Sequence, residues 1–386
     1  MRFKDIIGHS EVKQRLVRTV EDGRISHAQL FVGDEGAGAL ALAMAYAQYV
    51  NCQSPEGGDS CGQCSSCRQM EELAHPDVHF IFPVNKSKSA QAVSGLDGDK
   101  PVSDHYIKSW RDFVRGSVPR GYFTEQDWYK FIDIDNKQGA ISRHEASQII
   151  RKLSFKAFES PYKVLIMWLP ERMNDQSANA LLKILEEPWD KTLFLLVSES
   201  PEKLLDTIIS RTQEIRVPAI DTESMAGWLQ GHYSLDSTTA VKLARLSFGD
   251  ILAACRFAED SGKEDEYFEM FVSLMRLSYN DKHLQLMEWA DTAAGMGRES
   301  QKTLLYNVLR LLRESYMLSM KADNVSYLYG AEYDFCSKFS PFVNNRNVEA
   351  LAGETELAIK HISQNGNARI IFTHYVLTVS KLISRL

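Results

Sequence analysis

Apolar residues in the first half of the chain alternate between short continuous runs and stretches at helical spacing. Ala28–Val32, Val78–Val84, Val164–Leu169, Thr192–Ser198 and Gln213–Val217 read as strands. Between them, Val12, Leu16, Val17 and Val20 mark a helix ended by Gly23, and Ala39–Val50 is a second. Ser142-x-x-Glu145 has the form of a capping box opening a helix that runs to about Phe158. Asn174–Glu187 is helical up to Pro188, and a short helix lies near Pro201–Ile209. Strand and helix in alternation predict an α/β domain, a parallel sheet with helices on both faces.

Two stretches break this rhythm. Residues 85–103 are polar and rich in Gly, Ser and Lys, which predicts a mobile loop. Residues 104–131 carry Tyr106, Trp110, Phe113, Tyr122, Phe123, Trp128, Tyr129 and Phe131. Two uses fit so many rings: a helical insert packing its aromatic face on the parent domain, or a docking surface for a partner. Base stacking fits least, because acidic residues interleave with Lys108, Arg111, Arg115 and Arg120.

From Asp221 onward the strand signal stops. Residues 221–260 give two or three short helices, too small a set to be stable alone, and SGKED at 261–265 has the composition of a hinge. Residues 266–386 are helical throughout, with amphipathic stretches at Thr303–Met320 and Ala368–Leu386. The expected division is 1–217 for the α/β domain, with an insert at about 85–131, then a small helical domain at 218–262 and an all-α domain at 263–386.

Composition narrows the possible roles. A chain of 386 residues with 44% hydrophobic and 25% charged residues can build two or three cored domains. Its net charge of −7 argues against a free-standing nucleic-acid binder while leaving room for a local basic patch. No apolar run approaches the roughly 18 residues of a membrane span, and MRFKDIIGHSEVKQRL lacks a signal-peptide core. The expectation is a cytoplasmic protein without membrane contact.

Candidate chemistry starts at LFVGDEGAGALALAM, Leu30–Met44, an apolar strand entering a glycine-rich turn and then an Ala/Leu-rich helix. This is the setting of a phosphate-binding loop, whose glycines let backbone N–H groups approach a phosphate. Gly33, Gly36 and Gly38 are in place. The lysine that reaches the outer phosphates and the hydroxyl that holds Mg²⁺ are replaced by Ala39 and Leu40. Active P-loop ATPases also end the third strand in acidic residues, for Mg²⁺ and for activating water. Here those places are Trp168 and Leu169. Glu171, just beyond Pro170, is read as a solvated charge at a helix start in preference to a displaced base. Each charge-assisted contact contributes on the order of 1.5–3 kcal/mol. Four absences therefore remove most of the binding and nearly all of the catalysis, so ATP is not expected to bind productively.

Four cysteines cluster as Cys52-x8-Cys61-x2-Cys64-x2-Cys67, with Gly57, Gly58 and Gly62 allowing tight turns between them. In a reducing compartment this pattern favours metal over disulfides. Four thiolates close a tetrahedral, structural Zn²⁺ site in a module at about residues 50–70; an iron–sulfur cluster and free thiols are the alternatives. His75 and His79 are surplus as ligands and read as strand-edge residues. Cys255 and Cys336 lie alone in helical patterns and read as buried, inert thiols.

Together, IIGHSEV (Ile6–Val12), SHAQLFVGDEGAG (Ser26–Gly38), the four cysteines, HPDV (His75–Val78), NALLKILEEP (Asn179–Pro188) and TIISRT (Thr207–Thr212) resemble the delta-prime family of bacterial DNA polymerase III clamp-loader subunits, within the AAA+ superfamily. Beyond about residue 218 only that family's helical lid and collar layout is recognisable. The resemblance implies a member of a five-membered ring, with delta and gamma/tau-type subunits as partners, that places the sliding clamp on primed DNA. It implies a subunit that is not itself an enzyme but supplies an arginine, here Arg211, to a neighbouring ATPase site. Thr212 departs from the family's cysteine after that arginine. Ser198 holds the first sensor position, and Leu252 replaces the lid arginine expected three residues after Gly249. The alternatives are an active AAA+ motor subunit of the gamma/tau type and a zinc-containing interaction scaffold outside replication.

Overall fold

In a computed structural model, every residue is described except 87–100, 135–136, 260–263, 321–327, 329 and 385–386. The expected loop at 85–103 and hinge at 261–265 therefore fall largely outside the described residues. The chain divides into two compact units, one of residues 1–228 with 248–252, the other of residues 229–247 with 253–386.

The first unit is built on a fully parallel sheet in the order β2-β3-β4-β1-β5. Its strands are β1 (Ala28–Val32), β2 (Val78–Ile81), β3 (Lys163–Trp168), β4 (Thr192–Ser198) and β5 (Gln213–Arg216). All residues of β3 and β4 are buried, as both faces of a helix-covered sheet require. Every second side chain faces one layer. Ala28, Leu30, Leu165, Met167, Phe194 and Leu196 join the core formed with α6 (Arg143–Ser154), α7 (Asp175–Glu186) and α8 (Asp206–Ile209). By the same alternation Phe31 and Trp168 face the other layer. That layer contains α2 (Ala39–Val50), every residue of which is buried, and Phe31 meets Tyr46 of α2 at 6.3 Å between ring centroids.

The remaining α-helices lying wholly in this unit are α1 (Ser10–Glu21), α3 (Ser65–Glu71), α4 (Ile107–Gly116) and α5 (Glu125–Phe131). Strand β2 is shorter than expected: pairing with β3 stops at Ile81, and Val84 makes an isolated bridge to Ala140. Leu169 lies outside β3, in the left-handed region at φ 56°. Helix α6 stops at Ser154, and Phe155 and Phe158 beyond it are exposed.

The capping box of α6 forms only by half. The Ser142 hydroxyl accepts the Glu145 N–H at 3.3 Å, but the Glu145 carboxylate turns inward to accept the Ser103 N–H at 2.6 Å. Glu145 is 1% exposed, and burial lifts its carboxyl to about 7 from an ordinary 4.5. Between those values the folded chain holds a proton that the unfolded chain lacks, so this group's stabilisation is present below about 4.5 and lost as pH rises through about 7. Glu145→Gln is expected to match wild type at acidic pH and to exceed it at pH about 8 by roughly 1–3 kcal/mol. Urea midpoints across the range check this; parallel profiles would contradict it.

The second unit is helical among its described residues. It includes α10 (Ser237–Leu246), α12 (Glu264–Tyr279), α13 (His283–Gly295), α14 (Arg298–Ser319), α15 (Gly330–Phe339), α16 (Val348–Ser363) and α17 (Ala368–Ser384); α9 (Thr222–Tyr233) starts in the first unit, and α11 (Ile251–Glu259) lies almost wholly in the second. Phe271, Leu274, Leu304, Leu311, Phe372 and Val376 belong to one continuous core. Within it, Arg310 makes two hydrogen bonds to the Glu332 carboxylate, at 2.8 and 2.5 Å. Cys336 is fully buried, and burial pushes its thiol up to about 11, which makes it inert. No helix among the described residues is long and apolar enough to cross a membrane.

Candidate functional site

The glycine-rich turn adopts the geometry that its composition predicts. Gly36 and Gly38 have φ of 76° and 88°, and Gly38 is the N-cap of α2. His9, from the IIGHSEV segment, is buried against this turn with Nε2 2.8 Å from the Ala37 carbonyl. Burial lowers the His9 pKa and so favours its neutral form.

Where phosphates would lie, the turn meets protein. The Tyr122 ring covers Gly38 so closely that a Cβ there would stand 2.7 Å from its Cζ. Tyr122 is buried, and its hydroxyl accepts the Ile7 N–H at 3.2 Å. At Gly36 an added Cβ would stand 2.6 Å from Cγ of Asp250. The space left among Gly33, Gly36, Gly38, Leu40, Tyr122, Phe123 and Trp168 is a cavity of about 20 Å³, roughly enough for one water. Its lining also includes Asp34 and Glu199. Burial, reinforced by the carboxylates of Glu35, Glu171 and Glu125, holds the Glu199 carboxyl well above its ordinary pKa. This is an aromatic and acidic surrounding, opposite to what a polyphosphate needs.

Trp168, at the end of β3, packs against Phe123 and Trp110, at 5.1 and 5.5 Å between centroids. Of the insert's aromatic residues, Tyr106, Trp110, Tyr122, Phe123, Trp128 and Tyr129 are buried, while Phe131 is 51% exposed. The packing role thus accounts for most of the rings. Ion pairs fasten the insert: Arg120 to Glu71, Arg115 to Glu72, and Arg172 to Glu125 through two bonds of 2.6 and 2.5 Å.

Glu171 differs from its expected solvated state. Its Oε1 accepts the N–H groups of Glu199 and Ser200 at 3.0 and 3.2 Å, while Oε2 is buried without a partner among the described residues. It fixes the chain leaving β4. His75 also differs, being buried rather than at a strand edge. Its Nδ1 accepts the Asp77 N–H, and Nε2 lies 2.9 Å from the Ser160 hydroxyl. Asp77 in turn accepts three N–H groups, from Phe158, Glu159 and Ser160, so the HPDV segment clamps the loop before β3. His79 does lie on the edge strand β2.

The sulfur atoms of Cys52, Cys61, Cys64 and Cys67 all lie within 4.8 Å of one another. Sulfurs at the corners of a tetrahedral zinc site would be about 3.8 Å apart. The Cys61–Cys67 and Cys52–Cys67 separations are 3.9 and 3.6 Å. Backbone donors approach three of them: Cys61 N–H to Cys52 Sγ, Gln63 and Cys64 N–H to Cys61 Sγ, and Cys67 N–H to Cys64 Sγ. The donors of Gln63 and Cys64 bring the Cys61 thiol down to about 6, while burial pushes Cys52 and Cys67 up. The cluster can hold a metal ion, whose positive charge offsets the cost that partial burial of Cys52 and full burial of Cys67 place on ionising them.

Arg211 follows α8 on the surface, its side chain 33% exposed. It folds back on its own domain: Nε donates to Glu186 Oε1 at 2.8 Å, Nη2 also bonds Glu186, and Nη1 donates to the Thr207 carbonyl at 2.8 Å. Glu186 is itself part of the NALLKILEEP segment. The candidate residues have separate surroundings: Arg211 bonds Glu186 and Thr207, the four cysteines face one another, and the glycine turn meets Tyr122 and Asp250.

Residues 8–221 match the family model described as DNA polymerase III, delta subunit. The chain belongs to this family. Membership of the DNA polymerase III delta subunit family agrees with the resemblance carried by the sequence motifs. Among curated relatives, DNA polymerase III subunit delta′ of Haemophilus influenzae is 24% identical over 289 residues, covering 72% of each chain. Subunit delta′ of Bacillus subtilis is 26% identical over 267 residues, which is 69% of this chain and 63% of that protein. DNA polymerase III subunit tau of Escherichia coli is 25% identical over 294 residues, 74% of this chain but 37% of that protein. Because delta′ and tau proteins match at similar identity, the choice between their roles rests on the site residues.

Sequence reasoning singled out the glycine turn, the cysteines and Arg211 as candidates and did not anticipate that Tyr122, Phe123 and Asp250 lie against the turn. A signal was present in Gly121-Tyr122-Phe123. Gly121 has φ of 78°, and a Cβ there would stand 2.7 Å from Met44 Cε of α2, so a glycine beside two aromatics marked a close backbone approach.

Proposed function

We propose that this chain is a non-catalytic clamp-loader subunit that supports placing the sliding clamp on primed DNA beside delta and gamma/tau-type subunits. The observation that carries this reading is the phosphate turn without lysine, hydroxyl or strand-end acids, its remaining space lined by aromatic and acidic side chains. Residues 1–217 would form the AAA+ domain, 218–262 the lid and 263–386 the collar. DNA contact would be indirect or limited to the backbone, in keeping with the acidic net charge.

In this role Arg211 acts in trans, stabilising charge that develops on a neighbour's γ-phosphate. Its bond to Glu186 is an exposed ion pair, which costs about 0–1 kcal/mol to exchange for another anion. The four cysteines hold structural zinc, which when bound fixes the fold of the module and takes no part in ATP chemistry. The active motor reading fits poorly with Ala39, Leu40, Trp168 and Leu169, and the scaffold reading leaves Arg211 without a purpose.

The purified chain with MgATP is expected to show no hydrolysis above background. A site with Kd of about 10 μM would, at about 1 mM ATP, add about 2.7 kcal/mol of stability. A thermal melt of this chain is expected not to move. Turnover by the chain alone would overturn the reading.

A further inference from the structure

We infer that the segment Gly121-Tyr122-Phe123 is a built-in occupant of the vestigial nucleotide site, holding the glycine turn in place of a nucleotide. This rests on the reading that no nucleotide is held, and adds to it. Losing the lysine and hydroxyl would by itself leave an open, weakened pocket, whereas here the pocket has been filled by another part of the same chain.

Three contacts carry the argument. The Tyr122 ring lies on the backbone of Gly38, the residue that caps α2 and would face a phosphate. Gly121 lies against Ala41 and Met44 one turn further along α2, where a side chain of its own would collide. Phe123 closes the side towards β3 by packing on Trp168, the residue standing where a strand-end acid would hold Mg²⁺. The loss of the acid and the entry of the aromatic are thus one change in packing.

The segment is also held from behind. Arg120 pairs with Glu71 and bonds the Glu71 carbonyl at 2.5 Å. On the other side, Thr124 caps α5, accepting the Asp127 N–H at 3.1 Å, and α5 is tied to the chain after β3 through Glu125 and Arg172. Rings anchored at both flanks and buried at their tips behave as core. A glycine turn that in an ATPase is ordered by its ligand is here ordered by covalent neighbours, at an effective concentration no free nucleotide matches.

Restoring the missing chemistry tests this. The double variant Ala39→Lys/Leu40→Ser, made in the full chain, is expected to bind no fluorescent ATP analogue at about 100 μM, because the segment still fills the site. Binding by that variant would overturn the inference while leaving the wild-type chain a non-binder, so the broader reading would stand. Since new polar groups in a buried place can impair folding, amide exchange gives an independent test. Tyr122→Ala is expected to speed exchange of residues 36–42 by about tenfold or more, with unchanged exchange in β3 and β4 reporting that the α/β unit is still folded. Unchanged exchange at the turn in that folded variant would show that Tyr122 does not hold it.

Discussion

Cys64→Ser is expected to abolish zinc retention and lower the first thermal transition by on the order of 10 °C. Wild-type chain should carry about one equivalent of zinc by elemental analysis. The effect is large because the module does more than close on itself. Asp59, between Cys52 and Cys61, accepts the N–H groups of Phe3 and Lys4 at 2.9 and 3.0 Å. Ser60 accepts from the Gln48 amide at 2.9 Å, joining the module to α2. Cys64 also caps α3, its sulfur accepting the Cys67 N–H, so serine keeps part of the cap and removes one of the four sulfurs proposed to hold the metal. Loss of the metal is therefore expected to loosen the contacts of the module with Phe3, Lys4 and Gln48 of α2 without altering Arg211. A metal-free protein with an unchanged melt would contradict this account of the cysteines.

Much of the α/β unit was legible because its signals are local. β1, α2 and β4 begin and end where hydrophobic period and glycine placement predict. The clustering of the four cysteines was equally readable, since short loops between them limit where the sulfurs can go. Other features were hidden because they depend on partners far along the chain. The reach of Glu145 to Ser103, of Asp77 to the loop at 158–160 and of Tyr122 to Gly38 each spans more than forty positions. Local propensity gives Glu145 a cap role and Glu171 a solvated one, and tertiary burial overrides both. The pairing of Arg211 with Glu186 was similarly invisible, because the two residues lie at the ends of different helices.

The arrangement separates duties that an ATPase combines. The turn that would hold nucleotide has become part of the core, and the arginine that would serve another site is at the surface. Under the proposed reading the two places make opposite demands on substitution: changes at Tyr122 are expected to act on stability, and changes at Arg211 on a neighbour's chemistry. Arg211→Ala removes a partly exposed ion pair to Glu186 and an exposed hydrogen bond to the Thr207 carbonyl, so its expected stability cost is within about 1 kcal/mol.

The decisive measurement is clamp- and DNA-stimulated ATP hydrolysis by the reconstituted loader, comparing wild-type chain with Arg211→Ala at matched assembly. An arginine acting in trans can contribute about 10³–10⁵ in rate at the site it serves. Turnover at the adjacent ATPase site is therefore expected to fall by about 10³ or more, with the variant still co-eluting with the other subunits. An unchanged rate in a fully assembled complex would reduce Arg211 to a surface charge and contradict the proposed trans-acting role.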